Sequence, residues 1–331
     1  MEDAVKRVRI AGRTNLRPFQ LEQIAGACEL QVFDTRLPMR AGGDDVVRRA
    51  GDAEILVVDA FTPVNATVVR QLPCLRTIVS CSSDIHHVDL EACGQLGVNV
   101  RWFPGYCSRA LAEKAITYLL MGLTRVLPAI DDVRAGGWDY FGFQSREIPG
   151  RRVTVLGYGT TGRIVYDLCR NLGFTVTKVT SATRASDVQA VLRDTDALTM
   201  HMDLNPRTTR FLDRATLALL KEDVVIVNNA SGGLIDDRAL AEWLAGHPAA
   251  AAFLDVVSTE PPPADHPYRH LPNVTITPHV GWNSAESDAY LAKETFDAVM
   301  TAIESGWTTA AGEVGRKLLL QQNLTDSSDD G

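Results

Sequence analysis

The chain has 331 residues, 45% hydrophobic and 22% charged, with a formal net charge of -8 at pH 7. That is the composition of a globular protein long enough for two domains, and its acidity excludes the basic face that a nucleic-acid binder needs. No basic-then-apolar leader opens it and no apolar run nears the ~20 residues of a membrane-crossing helix. Its six cysteines (Cys28, Cys74, Cys81, Cys93, Cys107, Cys169) form no CxxC pair and show no metal-ligand spacing. Cytoplasmic location, reduced thiols and no metal site are the expectations.

In chain order, "VRIAG" (8–12), "ILVVDA" (55–60), "RTIVSC" (76–81) and "GVNVRW" (97–102) read as strands. Helix-like segments such as "TVVRQL" (67–72) and "VDLEACGQL" (88–96) lie between them, and such alternation predicts a parallel sheet. A longer helix is predicted over 108–126, followed by a Gly- and aromatic-rich loop over 134–150. A second series then begins. "RVTVLGYG" (152–159), "FTVTKVT" (174–180), "ALTMHM" (197–202), "VVIVNN" (224–229), "AAAFLDVV" (250–257) and "VTITPH" (274–279) are six strand candidates. Helices are predicted over 163–172, 213–220 and 237–245, and the polar tail 321–331 reads as disordered. The fold class is α/β, with two doubly wound parallel-sheet domains.

"VTVLGYGTTGRIV" sets Gly157, Gly159 and Gly162 in G-x-G-x-x-G spacing, after a strand and before a helix. In that context the first glycine makes a tight turn and the second lets the backbone approach a pyrophosphate. The third permits close helix packing, and the anion sits at the helix N-terminus, here near Thr160 and Thr161. An NAD site expects an acidic residue at the end of the next strand, to hold the ribose 2′-OH. That strand ends instead in Thr180 and Ser181, with Arg184 close behind. An arginine without a carboxylate suits a 2′-phosphate, so the reading favours NADP(H), with NAD(H) as the alternative.

The opening of "VVIVNNASGGLID" raises a separate point. A strand buried on both faces ends in small polar residues, and cofactors and substrates meet at the carboxyl ends of parallel strands. With this piece the chain resembles the D-2-hydroxyacid dehydrogenase family over nearly its whole length. The resemblance rests on an ordered set: "VDLEACGQLGVNV", "PG" followed by "ALAEKA", "LGYGTTGRI", "MHMDLNPRTTRFL", "VNNASGGLID", "LDVVSTEPP" and "TPHVGWNSAE".

That resemblance implies a flavodoxin-like substrate domain beginning with residues 1–101, a Rossmann dinucleotide domain over 102–282, and a segment 283–331 whose helix returns to the substrate domain. It also implies a site between the domains and a homodimer to which the 108–126 helix contributes. His279 falls at the family's proton donor or acceptor and Glu260 at its partner. Imidazole titrates near neutrality, and a neighbouring carboxylate fixes its tautomer. Asp255 falls where the nicotinamide carboxamide is received, with Asn229 among the cofactor-binding positions.

Two departures concern the substrate. Ser231 stands where the family pattern has its carboxylate-gripping arginine, and a neutral hydroxyl replaces a bidentate cation. Losing one preorganised donor to a developing oxyanion costs about 2.7–4 kcal/mol. In "CSSDIHHVDL", Ser82 and Asp84 take the places of glycines whose N–H groups bind a carboxylate, so Ser83, Asp84 and His86 become the substrate-loop candidates. His87 follows, either pairing with Asp84 or simply exposed. Arg101 and Arg109 are candidate replacement cations, and either can equally form a surface ion pair. Three functions stay open. They are a reductase of a carbonyl or imine carbon with an atypical substrate, a dinucleotide-binding sensor without turnover, and an ordinary 2-hydroxyacid dehydrogenase with a relocated arginine.

Overall fold

The structure is a computed structural model that describes residues 5–33 and 42–305; the tail 321–331 lies outside them. The described residues fall into two compact units. One runs through Tyr106 and resumes at Ala285, and the other spans Cys107–Ser284.

The first unit alternates β1 (Arg7–Ile10), α1 (Pro18–Ala27), β2 (Glu29–Val32), α2 (Gly43–Ala50), β3 (Ile55–Asp59), α3 (Ala66–Arg70), β4 (Thr77–Cys81), α4 (Leu90–Gln95) and β5 (Asn99–Arg101). All its strand pairs are parallel, in the order β2-β1-β3-β4-β5, the flavodoxin-like winding. β3 and β4 are buried almost throughout because helices cover both faces of the sheet. Asn65 and Asp89 start α3 and α4 by accepting the N–H groups of Val68 and Ala92. The sequence reading missed β2. Its residues are largely exposed, so only pairing with β1 makes this edge segment a strand.

The second unit opens with α5 (Ser108–Thr124) and α6 (Val126–Arg134). The single helix predicted over 108–126 is therefore corrected. Arg125 takes a left-handed conformation, φ 53°, and the chain restarts as a second helix. Apolar periodicity passes through such a one-residue break without a mark. Then follow β6 (Arg152–Leu156), α7 (Thr160–Asn171), β7 (Thr175–Val179), α8 (Ala185–Asp194), β8 (Ala197–Met200), α9 (Arg214–Leu217), β9 (Val225–Asn228), α10 (Asp237–Gly246), β10 (Ala251–Leu254) and β11 (Val274–Ile276). The sheet is wholly parallel in the order β11-β10-β9-β8-β6-β7, so β6 lies where the winding reverses. α7 starts three residues before the predicted 163, because Gly159 acts as its N-cap.

α5 crosses this sheet closely. A Cβ on Gly122 would stand 2.5 Å from Val225 Cγ1. β9 is entirely buried, as its β-branched run requires. Finally α11 (Ala285–Ser305) belongs to the first unit, where Leu291, Ala298, Val299 and Ala302 pack with Ile10, Val57 and Val79. Among the described residues no helix is long and apolar enough to cross a membrane.

Candidate active site

The three glycines after β6 serve different ends. Gly157 has φ 93°, and a Cβ there would lie 2.4 Å from the carbonyl oxygen of His201. A Cβ on Gly162 would meet the carbonyl oxygen of Gly157 at 2.2 Å. Both are demanded by the fold itself. Gly159 is not, because its φ is -72° and nothing lies within 4 Å of its would-be Cβ. It caps α7 without a side-chain cap, beside exposed Thr160 and half-buried Thr161. An unhindered glycine at an uncapped helix N-terminus fits a close-approaching pyrophosphate.

Beyond β7, Thr180 and Thr183 close a tight turn. The Thr180 N–H donates to Thr183 Oγ1 at 3.0 Å, and the Thr183 N–H donates to the Thr180 carbonyl at 3.0 Å. No carboxylate occurs from Thr180 to Arg184. Arg184 is 87% exposed, and its Nε lies 3.8 Å from Asp187 across the start of α8. At the end of β8, His201 contacts Thr199 Oγ1 through Nε2 at 2.8 Å. Burial pushes its imidazole down to about 3, so it is neutral at physiological pH.

The tip of β9 is folded by its own asparagines. Asn228 Nδ2 donates to the Ser231 carbonyl at 2.8 Å, and its Oδ1 accepts the Ala230 N–H at 3.1 Å. Asn229 Nδ2 donates to the Leu111 carbonyl at 2.7 Å, and its buried Oδ1 has no partner. Ser231 is half-buried and extended. A Cβ on Gly232 would meet the Val257 carbonyl at 2.1 Å, so this turn is pressed against the chain leaving β10.

That chain carries Glu260, and the structure brings it to His279, Oε2 to Nδ1 at 2.8 Å. Glu260 Oε1 accepts the Val257 N–H at 3.2 Å. His279 has φ 53°, a left-handed conformation that non-glycine residues seldom take. Asp255 holds the segment around it. This residue, 1% exposed, accepts Thr277 Oγ1 at 2.5 Å, the Val280 N–H at 3.0 Å and the Gly281 N–H at 2.6 Å. Thr277 spends its proton on Asp255, so the 2.6 Å contact with Tyr118 has the tyrosine as donor. Trp282 Nε1 donates to the His279 carbonyl at 2.9 Å. Sequence reasoning gave Asp255 a nicotinamide-binding role with capping at the strand end as the alternative, and did not foresee that it anchors residues 277–281. The signal lay in Thr277 and Gly281 flanking the histidine.

In the first unit, Ser83 Oγ accepts the Gly105 N–H at 3.2 Å, while Asp84 and His86 are exposed. The wired histidine is His87, whose side chain is 9% exposed. Its Nε2 lies 2.8 Å from Ser80 Oγ, which lies 2.6 Å from Ser82 Oγ, which donates to the Asp84 carbonyl at 2.6 Å. Counting protons fixes the directions. Ser82 gives its proton to the carbonyl and Ser80 to Ser82, so His87 Nε2 must donate to Ser80. Its buried Nδ1 then has only Asp84 Oδ1, 4.0 Å away, and burial lowers the imidazole pKa against the pull of that carboxylate. Arg101 lies 5.7 Å over the Phe103 ring, and Arg109 pairs with Glu113 at 2.6 Å. No group of three or more His, Cys, Asp or Glu among the described residues could hold a metal.

Residues 116–281 match the D-isomer specific 2-hydroxyacid dehydrogenase NAD-binding domain. The D-3-phosphoglycerate dehydrogenase of Mycobacterium bovis is 31% identical over 82% of this chain. The chain belongs to the D-2-hydroxyacid dehydrogenase family. It spans 53% of that mycobacterial protein, about half its length. Glycerate dehydrogenase of Methylorubrum extorquens is 29% identical over 77% of this chain and 84% of its own. Among solved structures, the TT0316 protein of Thermus thermophilus aligns with a TM-score of 0.81 and 27% identity, covering 91% of this chain and 97% of that one. As a family member the chain is an oxidoreductase of the D-2-hydroxyacid dehydrogenase type, with an NAD-binding Rossmann domain.

Proposed function

We propose that this enzyme reduces a carbonyl or imine carbon of a small molecule other than a simple 2-oxoacid, with His279 as the proton donor. The observation that carries this reading is the 2.8 Å contact between His279 Nδ1 and Glu260. It fixes which nitrogen faces the carboxylate and stabilises the imidazolium, so that Nε2 is the atom that gives up its proton. The bound dinucleotide supplies the hydride. Glu260 and the Asp255-anchored segment supply orientation, keeping the imidazole aimed while its charge changes. Turnover also distinguishes this reading from that of a silent dinucleotide sensor, which has no use for such a pair.

Ser231 directs the substrate class. It offers a neutral hydroxyl where the family resemblance places an arginine, and the substrate loop of that resemblance presents the exposed carboxylate of Asp84. Arg109 lies in an exposed ion pair with Glu113 and Arg101 over the Phe103 ring. A neutral ketone or an already polarised iminium needs no guanidinium clamp. NADPH is the proposed cofactor, on the carboxylate-free turn after β7 and exposed Arg184. A homodimer through the second unit is the proposed assembly. Trp138, Tyr140 and Phe141, each more than 80% exposed, adjoin the half-covered apolar face of α6, and a patch of this kind marks an association surface.

His279→Ala lowers turnover at least ~100-fold, the usual worth of a positioned acid, with little change in dinucleotide affinity. Glu260→Gln lowers it less and moves the falling limb of the pH–rate profile for reduction toward acid, because the imidazolium loses its partner. Steady-state kinetics across pH check both, and full activity without the imidazole refutes the mechanism.

Calorimetric titration of NADPH and NADH tests the dinucleotide site. Gly159→Val weakens both cofactors about tenfold or more, while the fold loses only the ~1 kcal/mol that a poor N-cap costs, since nothing crowds that position. Arg184→Ala weakens NADPH alone. Equal wild-type affinities would remove the NADPH preference.

Ser231→Arg raises kcat/KM for glyoxylate and pyruvate and lowers it for neutral ketones and cyclic imines. A wild-type enzyme that already prefers those oxoacids contradicts the charge argument. For the assembly, Trp138→Ser with Phe141→Ser converts a dimer into a monomer in sedimentation equilibrium. A wild type that sediments as a monomer ends that proposal.

A further inference from the structure

A cluster beside the Glu260 turn takes no part in the chemistry described so far. Asp237, at the first position of α10, has a side chain only 12% exposed. Its Oδ2 accepts the backbone N–H of Ser258 at 3.1 Å and the Ser258 hydroxyl at 2.5 Å. Its Oδ1 accepts the hydroxyl of buried Tyr268 at 3.0 Å. His266 Nε2 stands 3.5 Å from Oδ2, and its ring is tilted against that of Tyr268 with centroids 4.9 Å apart. Three hydrogen-bond donors thus converge on one carboxylate, with His266 beside them, and all come from the loop between β10 and β11 that bears Glu260.

An ordinary N-terminal carboxylate on a helix caps its own first turn. Here Asp236 does that, accepting the Ala239 N–H at 3.1 Å. Asp237 is thereby left to bind elsewhere. Its grip on Ser258 falls inside the four-residue turn that Glu260 closes by accepting the Val257 N–H at 3.2 Å. The same turn is braced from the other side, where a Cβ on Gly232 would stand 2.6 Å from the Ser258 nitrogen. A turn held at both flanks has little freedom to swing its glutamate away from His279.

We propose that Asp237 is a positioning residue for the proton-transfer pair, fixing the Ser258 turn so that Glu260 keeps its carboxylate on His279 Nδ1. This rests on the reading of Glu260 and His279 given above. Ionisable groups on the elements that carry or contact the Glu260 turn include Asp255 at the end of β10, Asp265, His266, Arg269 and His270 on the loop, and Asp236 and Asp237 on α10. A charge on α10 could also act on the imidazole through space, so the test must separate geometry from field.

The test is a double-mutant cycle read by NMR titration of the His279 ring, its resonance assigned by its loss in His279→Ala. The proteins are wild type, Asp237→Asn, Glu260→Gln and the double variant, all without substrate. Asp237→Asn should move the His279 midpoint toward acid by about a third or more of the Glu260→Gln shift, and should add nothing once Glu260 is glutamine. No shift in the wild-type background overturns the proposal, and so does an equal shift in both backgrounds, which is the signature of a through-space charge. Ser258→Ala removes one exposed hydroxyl and should shift the midpoint less, in the same direction. If Asp237→Asn does not fold, that variant decides, and an unmoved midpoint overturns the proposal. The readout needs no turnover, so a His279→Ala enzyme that stays active refutes the catalytic reading and leaves this test standing.

Discussion

The second unit depends on one buried carboxylate. Asp255 is almost wholly removed from water, and a buried charge without partners costs several kcal/mol. Three donors from 277–281 satisfy it, two of them main-chain N–H groups on the far side of His279. The His279 N–H itself returns to the Asp255 carbonyl at 2.9 Å. This set of bonds holds a histidine in the left-handed region, where a residue with a Cβ pays of order 1–3 kcal/mol. Gly281 completes the fit, since a Cβ there would lie 2.7 Å from Asp255 Oδ2.

The same economy of close backbone contact recurs along the carboxyl edge of that sheet. Gly157 leans on the chain leaving β8, Gly162 on Gly157, and Gly232 on the chain leaving β10. Two of these contacts press one post-strand loop against another, and the Gly162 contact packs the start of α7 onto its own loop. Gly159 alone stands clear. The contrast separates glycines that the fold requires from one that it does not, a distinction that the motif's spacing cannot make.

In the first unit the loop after β4 shows how a local polar network can displace a family pattern. Where the resemblance expects glycines offering N–H groups, Ser82 turns inward to the Asp84 carbonyl and joins Ser80 and His87 in a proton-ordered chain. The carboxylate of Asp84 is left outside, more than half exposed. Between adjacent histidines, burial and not identity decides the role. His86 faces solvent, and His87 is a neutral donor within the network.

The sequence by itself determined the two parallel sheets. Strands such as β3, β4, β8 and β9 are covered on both faces, and that burial shows as short runs of mostly apolar residues. It likewise determined the dinucleotide loop and the pairing of Glu260 with His279, because motif order along the chain carries them. Only the tertiary structure decided β2, the break at Arg125, the anchoring role of Asp255, and which of two histidines is buried. The first three are settled by a partner far along the chain or by one residue's backbone angle, and the last by which imidazole packs into a local polar network. Hydrophobic periodicity averages over neighbours in sequence and registers none of these.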